Sequence, residues 1–130
     1  MTTKIYKKNI PIYFGEFWVI ITDNFYKSGL EIGMDLPTSI DDCLGLATTK
    51  TLLHAGVFIV FIKTNKIDHY DVIAHEALHT VNAVFKSRGI EIDTSNDEAQ
   101  AYFLGWVVSR IHEAINTHKK TIKNDTPQNT

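Results

Sequence analysis

Residues 68–88 place apolar side chains at helical spacing, with Ile73, Ala77, Val81, Val84 and Phe85 on one stripe. Asp68 is a suitable N-cap, with Asp71 three residues on, and Gly89 is a natural C-cap. A helix with such a stripe must be covered, so the segment demands a packed partner layer. It also carries His75-Glu76-Ala77-Leu78-His79, an HExxH string. Histidines four residues apart lie one above the other on a helix face and can reach a single zinc ion. Glu76 then stands beside the metal's open position, placed to accept a proton from bound water. The alternative is a helix with two ordinary histidines, and the surrounding chain decides between them.

The 130 residues suffice for one domain with a core, expected over 1–120, followed by a flexible polar tail over 121–130. Hydrophobic content of 44% and charged content of 22% are those of a soluble globular protein. A net charge of −2 gives no reason to expect nucleic acid as a partner. The longest apolar run, Val57 to Ile62, is too short to span a bilayer, so no membrane association is expected. The N-terminus has early lysines but no continuous apolar stretch, so no secretory signal is expected. A single cysteine, Cys43, excludes an internal disulfide and suits a reducing compartment. We read it as a small buried residue rather than a nucleophile.

Ahead of the zinc helix the chain reads as β-rich. Ile10 to Thr22 is full of β-branched and aromatic residues, giving one or two strands with Gly15 as a bend. Asp23 to Ser39, punctuated by Asn24, Gly29, Gly33 and Pro37, reads as loop with room for a short turn of helix. Leu44 to Thr49 is a weaker strand, and Val57 to Ile62 is the clearest one. A second helix starts after Thr94-Ser95-Asn96, with Asp97 and Glu98 in its favoured first turn, and runs to about Lys119. Strands followed by two helices make an α+β domain.

Catalytic zinc usually has three protein ligands. Thr80 to Phe85 holds neither glycine nor histidine, so a third histidine in HExxHxxGxxH fashion is excluded. Glu98, nineteen residues past His79, stands where a helix-loop-helix brings two helices together. Asp97 is its rival and is preferred as a cap. Glu98, Ala101, Tyr102, Gly105, Ser109 and His112 share a side of the second helix. Small Ala101 and Gly105 there would let the zinc helix approach, with Tyr102 packed between the helices. His112, fourteen residues beyond Glu98, is about 21 Å along a straight helix and cannot share the metal. Asp71 and Asn82 are candidate partners for the ligand imidazoles. His54 and His69 have no assigned role, and His118 sits near a helix C-terminus, which favours a charged ring.

HEALH followed by NDEAQAYFLGWVV resembles the small gluzincin-type metallopeptidases, in which a glutamate on the next helix completes the site. It is similar in particular to ImmA/IrrE-type proteins, through Glu98-Ala99-Gln100-Ala101-Tyr102, and to small phage or prophage proteins with HExxH and DEAxAY motifs. The resemblance covers Val57 to Arg110; the first fifty residues carry no such signature. ImmA/IrrE-type chains continue with further helices where this sequence stops, so a partner protein is a candidate source of specificity. The resemblance implies a zincin-like fold, a small mixed or antiparallel sheet before two packed helices. It also implies Zn2+ on His75, His79 and Glu98, Glu76 as general base, and a peptide or protein substrate in the cytoplasm of a bacterial host. In resembling folds, the strand preceding the zinc helix borders the cleft and offers a free edge to the substrate. The competing expectation is a zinc-containing binding or regulatory module that cuts nothing. Iron, manganese or cobalt would suit the same ligands.

Overall fold

In the computed structural model, which describes residues 3–50 and 56–125, the sequence builds four strands and three α-helices, an α+β arrangement. The strands are β1 (Lys4–Asn9), β2 (Glu16–Thr22), β3 (Gly45–Lys50) and β4 (Val57–Lys63). The helices are α1 (Phe25–Glu31), α2 (Tyr70–Ser87) and α3 (Glu98–Asp125). One mixed sheet has the order β1-β2-β4-β3, with β2 and β4 parallel and both outer strands antiparallel to their neighbours. His54 and residues 126–130 lie outside the described residues. No helix among the described residues is long and apolar enough to cross a membrane.

Alternation sets the layers. Phe17, Val19, Ile21, Phe58, Val60 and Ile62 turn to one face, where α2 and α3 cover them. Trp18, Ile20, Val57, Ile59 and Phe61 turn to the other, under Phe25 of α1 with Met34, Leu36 and Ile40. Central strands buried on both faces read as unbroken apolar runs, which is why β2 and β4 were the legible ones.

Several elements differ from the sequence reading. β1 was not anticipated, because KIYKKN is a lysine-rich edge strand whose charges blunt an exposed edge. The expected loop after β2 contains a full helix, α1. Asn24 caps it by accepting from Lys27 N at 2.9 Å. Asp41 accepts from Phe25 N at 2.6 Å and from Tyr26 N at 3.3 Å, and pairs with Lys63 Nζ at 2.6 Å. His69, not Asp68, takes the N-cap position of α2, and α3 continues to Asp125.

The β1–β2 turn is strained. Ile12 has φ 66° and Phe14 has φ 64°, a region that bulky residues rarely adopt. Tyr13 N donates to Pro11 O at 2.6 Å across Ile12, closing a γ-turn. Each such residue costs on the order of 1–3 kcal/mol.

His118 is fully buried, and neither ring nitrogen has a hydrogen-bond partner among the described residues. Burial pushes its pKa below the usual imidazole value; the nearby Lys4 charge adds to this and Asp23 opposes it. The sequence expectation of a favoured charge at that ring is therefore reversed. The unfolded chain takes up the proton first, near pH 6.5. Stability is thus fully present above that pH and is lost as pH falls below it. We expect the difference in thermal midpoint between pH 7.5 and pH 5 to shrink in His118→Leu; an unchanged pH slope would contradict this account.

Candidate metal centre

On α2 the buried stripe is Val72, Ile73, Ala77, Thr80, Val81, Val84 and Phe85. His75 and His79 project from the side turned away from the sheet, and the His75 side chain is 68% exposed. Their Nε2 atoms lie 3.1 Å apart, with ring centroids 4.7 Å apart. Two nitrogens held by one zinc at about 2.0–2.1 Å with a tetrahedral angle would be about 3.3–3.4 Å apart. The pair thus converges as two donors to one cation would; without a cation, one ring donates an N–H to the other.

Glu76 takes the third direction, toward β3. Its side chain is only 9% exposed, and its carboxylate accepts from the backbone N–H of Ala47. Its Oε1 lies 3.8 Å from His75 Nε2. Burial raises its pKa above the ordinary carboxylate value, while His75, His79 and the Ala47 N–H pull the other way. Perturbed carboxyl groups of this kind concentrate at functional sites. Ala47 is opposite Val60 of β4, yet its N–H goes to Glu76. That residue therefore presents its N–H and C=O at the outer edge of the sheet, as alternate residues of an antiparallel ladder do.

Gly45 makes the approach of α2 to β3 possible. A Cβ at this position would lie 2.8 Å from Val72 Cγ1 and 3.0 Å from Glu76 Cγ. Beside it opens a groove of about 420 Å³ lined by Cys43, Leu44, Gly45, Asp71, Val72, His75 and Glu76. Sequence reasoning missed this wall. A glycine opening a short strand was the available signal, since it marks a close approach.

Three sequence expectations are corrected by this geometry. Cys43 is exposed rather than buried, because it ends the 3-10 turn Thr38–Asp42 at the groove. Val57–Lys63 has no free edge, since it pairs with β2 and β3; the outer strand beside the helix is β3. The α3 face toward the core is Phe103, Val107, Ile111, Ala114, Ile115 and His118. Ala101, Tyr102, Gly105 and Ser109 are exposed instead, and nothing lies within 4 Å of a Cβ built on Gly105. The stripe of large apolar residues, not the small one, set the phase of the helix. Asn82 Oδ1 also accepts from Gln100 Nε2 at 3.1 Å, which ties α2 to α3.

The same contact fixes the register of the helices. Asn82 faces Gln100, and Tyr70 faces His112 with ring centroids 6.1 Å apart, so α2 and α3 run antiparallel. Glu98 is then level with Val84, about 7.5 Å along the axis from His79. It is exposed in the first turn of α3, while Asp97 accepts from Ala101 N through its carbonyl, at the cap position. Among the described residues, no three His, Cys, Asp or Glu side chains are gathered closely enough to hold a metal ion. The structure therefore brings together His75, His79 and Glu76, and does not bring Glu98 to them.

No family model, no curated protein and no solved structure matches this chain.

Gly45→Ala should lower stability by about 1–3 kcal/mol through overpacking of Val72 and Glu76, read from urea unfolding. A neutral substitution would mean that β3 and α2 are not in the close contact described.

Proposed function

We propose that this chain is a zinc-dependent metallopeptidase of the gluzincin kind, with a zincin-like fold, that hydrolyses a peptide bond in a protein substrate. The observation that carries this reading is the 3.1 Å convergence of His75 and His79 Nε2 beside a buried carboxylate at a strand edge. A divalent ion held by His75 and His79, with Glu98 as the proposed third donor, would supply Lewis acidity toward a scissile carbonyl. The two histidines fit that role as they stand; Glu98 requires the first turn of α3 to move toward them.

Glu76 is the general base in this reading. A carboxylate with a raised pKa holds a proton more readily and can return it to a leaving amine. The outer edge of β3 is the backbone with which an extended peptide can pair, one strand farther out than the sequence suggested. Leu44 and Val72 give the adjoining groove apolar walls, and Asp71 gives it an acidic end. The setting implied by the resemblance is the cytoplasm of a bacterial host, in a phage or mobile-element context, with a partner protein adding specificity.

The second reading is a non-catalytic zinc-containing binding or regulatory module, in which the exposed His75–His79 pair takes a metal and no peptide bond is cut. A structural site needs no general base and closes its fourth position, whereas Glu76 is kept buried beside the histidines. Digestion of a random peptide library by the zinc-loaded protein, read by mass spectrometry, separates the two. Cleavage at defined sequences, lost in Glu76→Gln with zinc retained, is the expected result. Absence of cleavage by both forms at equal zinc content would leave the module.

A further inference from the structure

The groove beside the histidine pair is apolar along one wall and charged at one end. Leu44 stands in the wall at 54% exposure, with Val72 completing the apolar part. Asp71 lines the end. It is exposed, and it makes no hydrogen bond or ion pair among the described residues. The acids nearest to it in sequence are committed elsewhere: Asp68 pairs with Lys119 Nζ at 2.6 Å, and Glu76 turns to the Ala47 N–H. Among the described residues, no lysine or arginine lines the groove. A first-turn carboxylate complements the dipole of α2, which accounts for Asp71 but not for an uncovered leucine lining the same space.

We propose that Asp71 selects a basic side chain in an extended peptide substrate, an inference that rests on the metallopeptidase reading above. Arginine and lysine each carry a charged head on an aliphatic stem. The stem fits against Leu44 and Val72, and the head meets the Asp71 carboxylate. Arginine is favoured over lysine, because its planar guanidinium can engage both carboxylate oxygens. The position of this residue in the substrate follows from helix geometry. Asp71 is four residues before His75 and eight before His79, so about 6–12 Å from the pair along the axis of α2. An extended peptide advances about 3.3 Å per residue. With the peptide backbone along the outer edge of β3, the residue that reaches Asp71 is two or three removed from the one over the histidines.

The test offers randomised decapeptides to the zinc-loaded chain and identifies by mass spectrometry both the peptides retained and the peptides cut. Arginine and lysine should be enriched about fivefold over the input at one position, two or three residues from the cut bond, the size expected of a carboxylate–guanidinium pair that keeps contact with water. The enrichment should vanish in Asp71→Asn, survive in Asp71→Glu and turn toward acidic residues in Asp71→Lys. Leu44→Ser, a change at an exposed position of the wall, should weaken it independently of any charge. Cutting without this enrichment, or enrichment that persists in Asp71→Asn, would overturn the inference and leave the peptidase reading standing. Retention of basic peptides that depends on Asp71, with none cut, would keep the role of Asp71 and overturn the peptidase reading. Neither retention nor cutting would overturn both.

Discussion

The parallel pair β2–β4 is apolar on both faces, and covering both faces dictates the rest of the molecule. One face is closed by α1 and the residues after it. The other needs two helices side by side, which the α2–α3 hairpin supplies. β4 lies between β2 and β3, so a helix returning antiparallel along it also covers the outer strand. That placement puts Val72 and Glu76 against Gly45 and turns His75 and His79 outward. The candidate centre is thus a by-product of how the sheet is roofed.

The seam between α2 and β3 is also where the fold sacrifices stability. A carboxylate with 9% of its side chain exposed gives up hydration for one backbone N–H and two nearby imidazoles. An apolar residue would serve the core better there. The proposed role of Glu76 as general base would account for keeping a carboxylate there. The turn carrying Ile12 and Phe14 shows the same pattern in backbone terms: a locally unfavourable conformation anchored by favourable contacts of Arg88 and Tyr13.

What the sequence revealed followed from burial. β2, β4 and α2 were legible because their apolar patterns are dictated by the core, and HEALH was legible because its spacing is set by the helix itself. β1 was hidden since edge strands carry lysine in place of an apolar pattern. The phase of α3 was misread because Ala101 and Gly105 suggested close packing, while Phe103, Val107 and Ile111 decided it by area. The role of β3 at the site, through the Ala47 N–H and the missing Cβ of Gly45, belongs to backbone contacts that residue types do not announce. Glu98 was chosen by spacing along the chain; its height along the helix axis depends on the α2–α3 register, which only the Asn82–Gln100 and Tyr70–His112 contacts reveal.

The central claim is that His75 and His79 hold a divalent ion. Native mass spectrometry on the parent chain, His79→Ala and Glu98→Ala, each titrated with zinc, tests it most directly. The account predicts one tightly held zinc in the parent chain, its loss in His79→Ala, and weakened but detectable binding in Glu98→Ala. No zinc held by the parent chain at stoichiometric addition, or equal retention by His79→Ala, would contradict it.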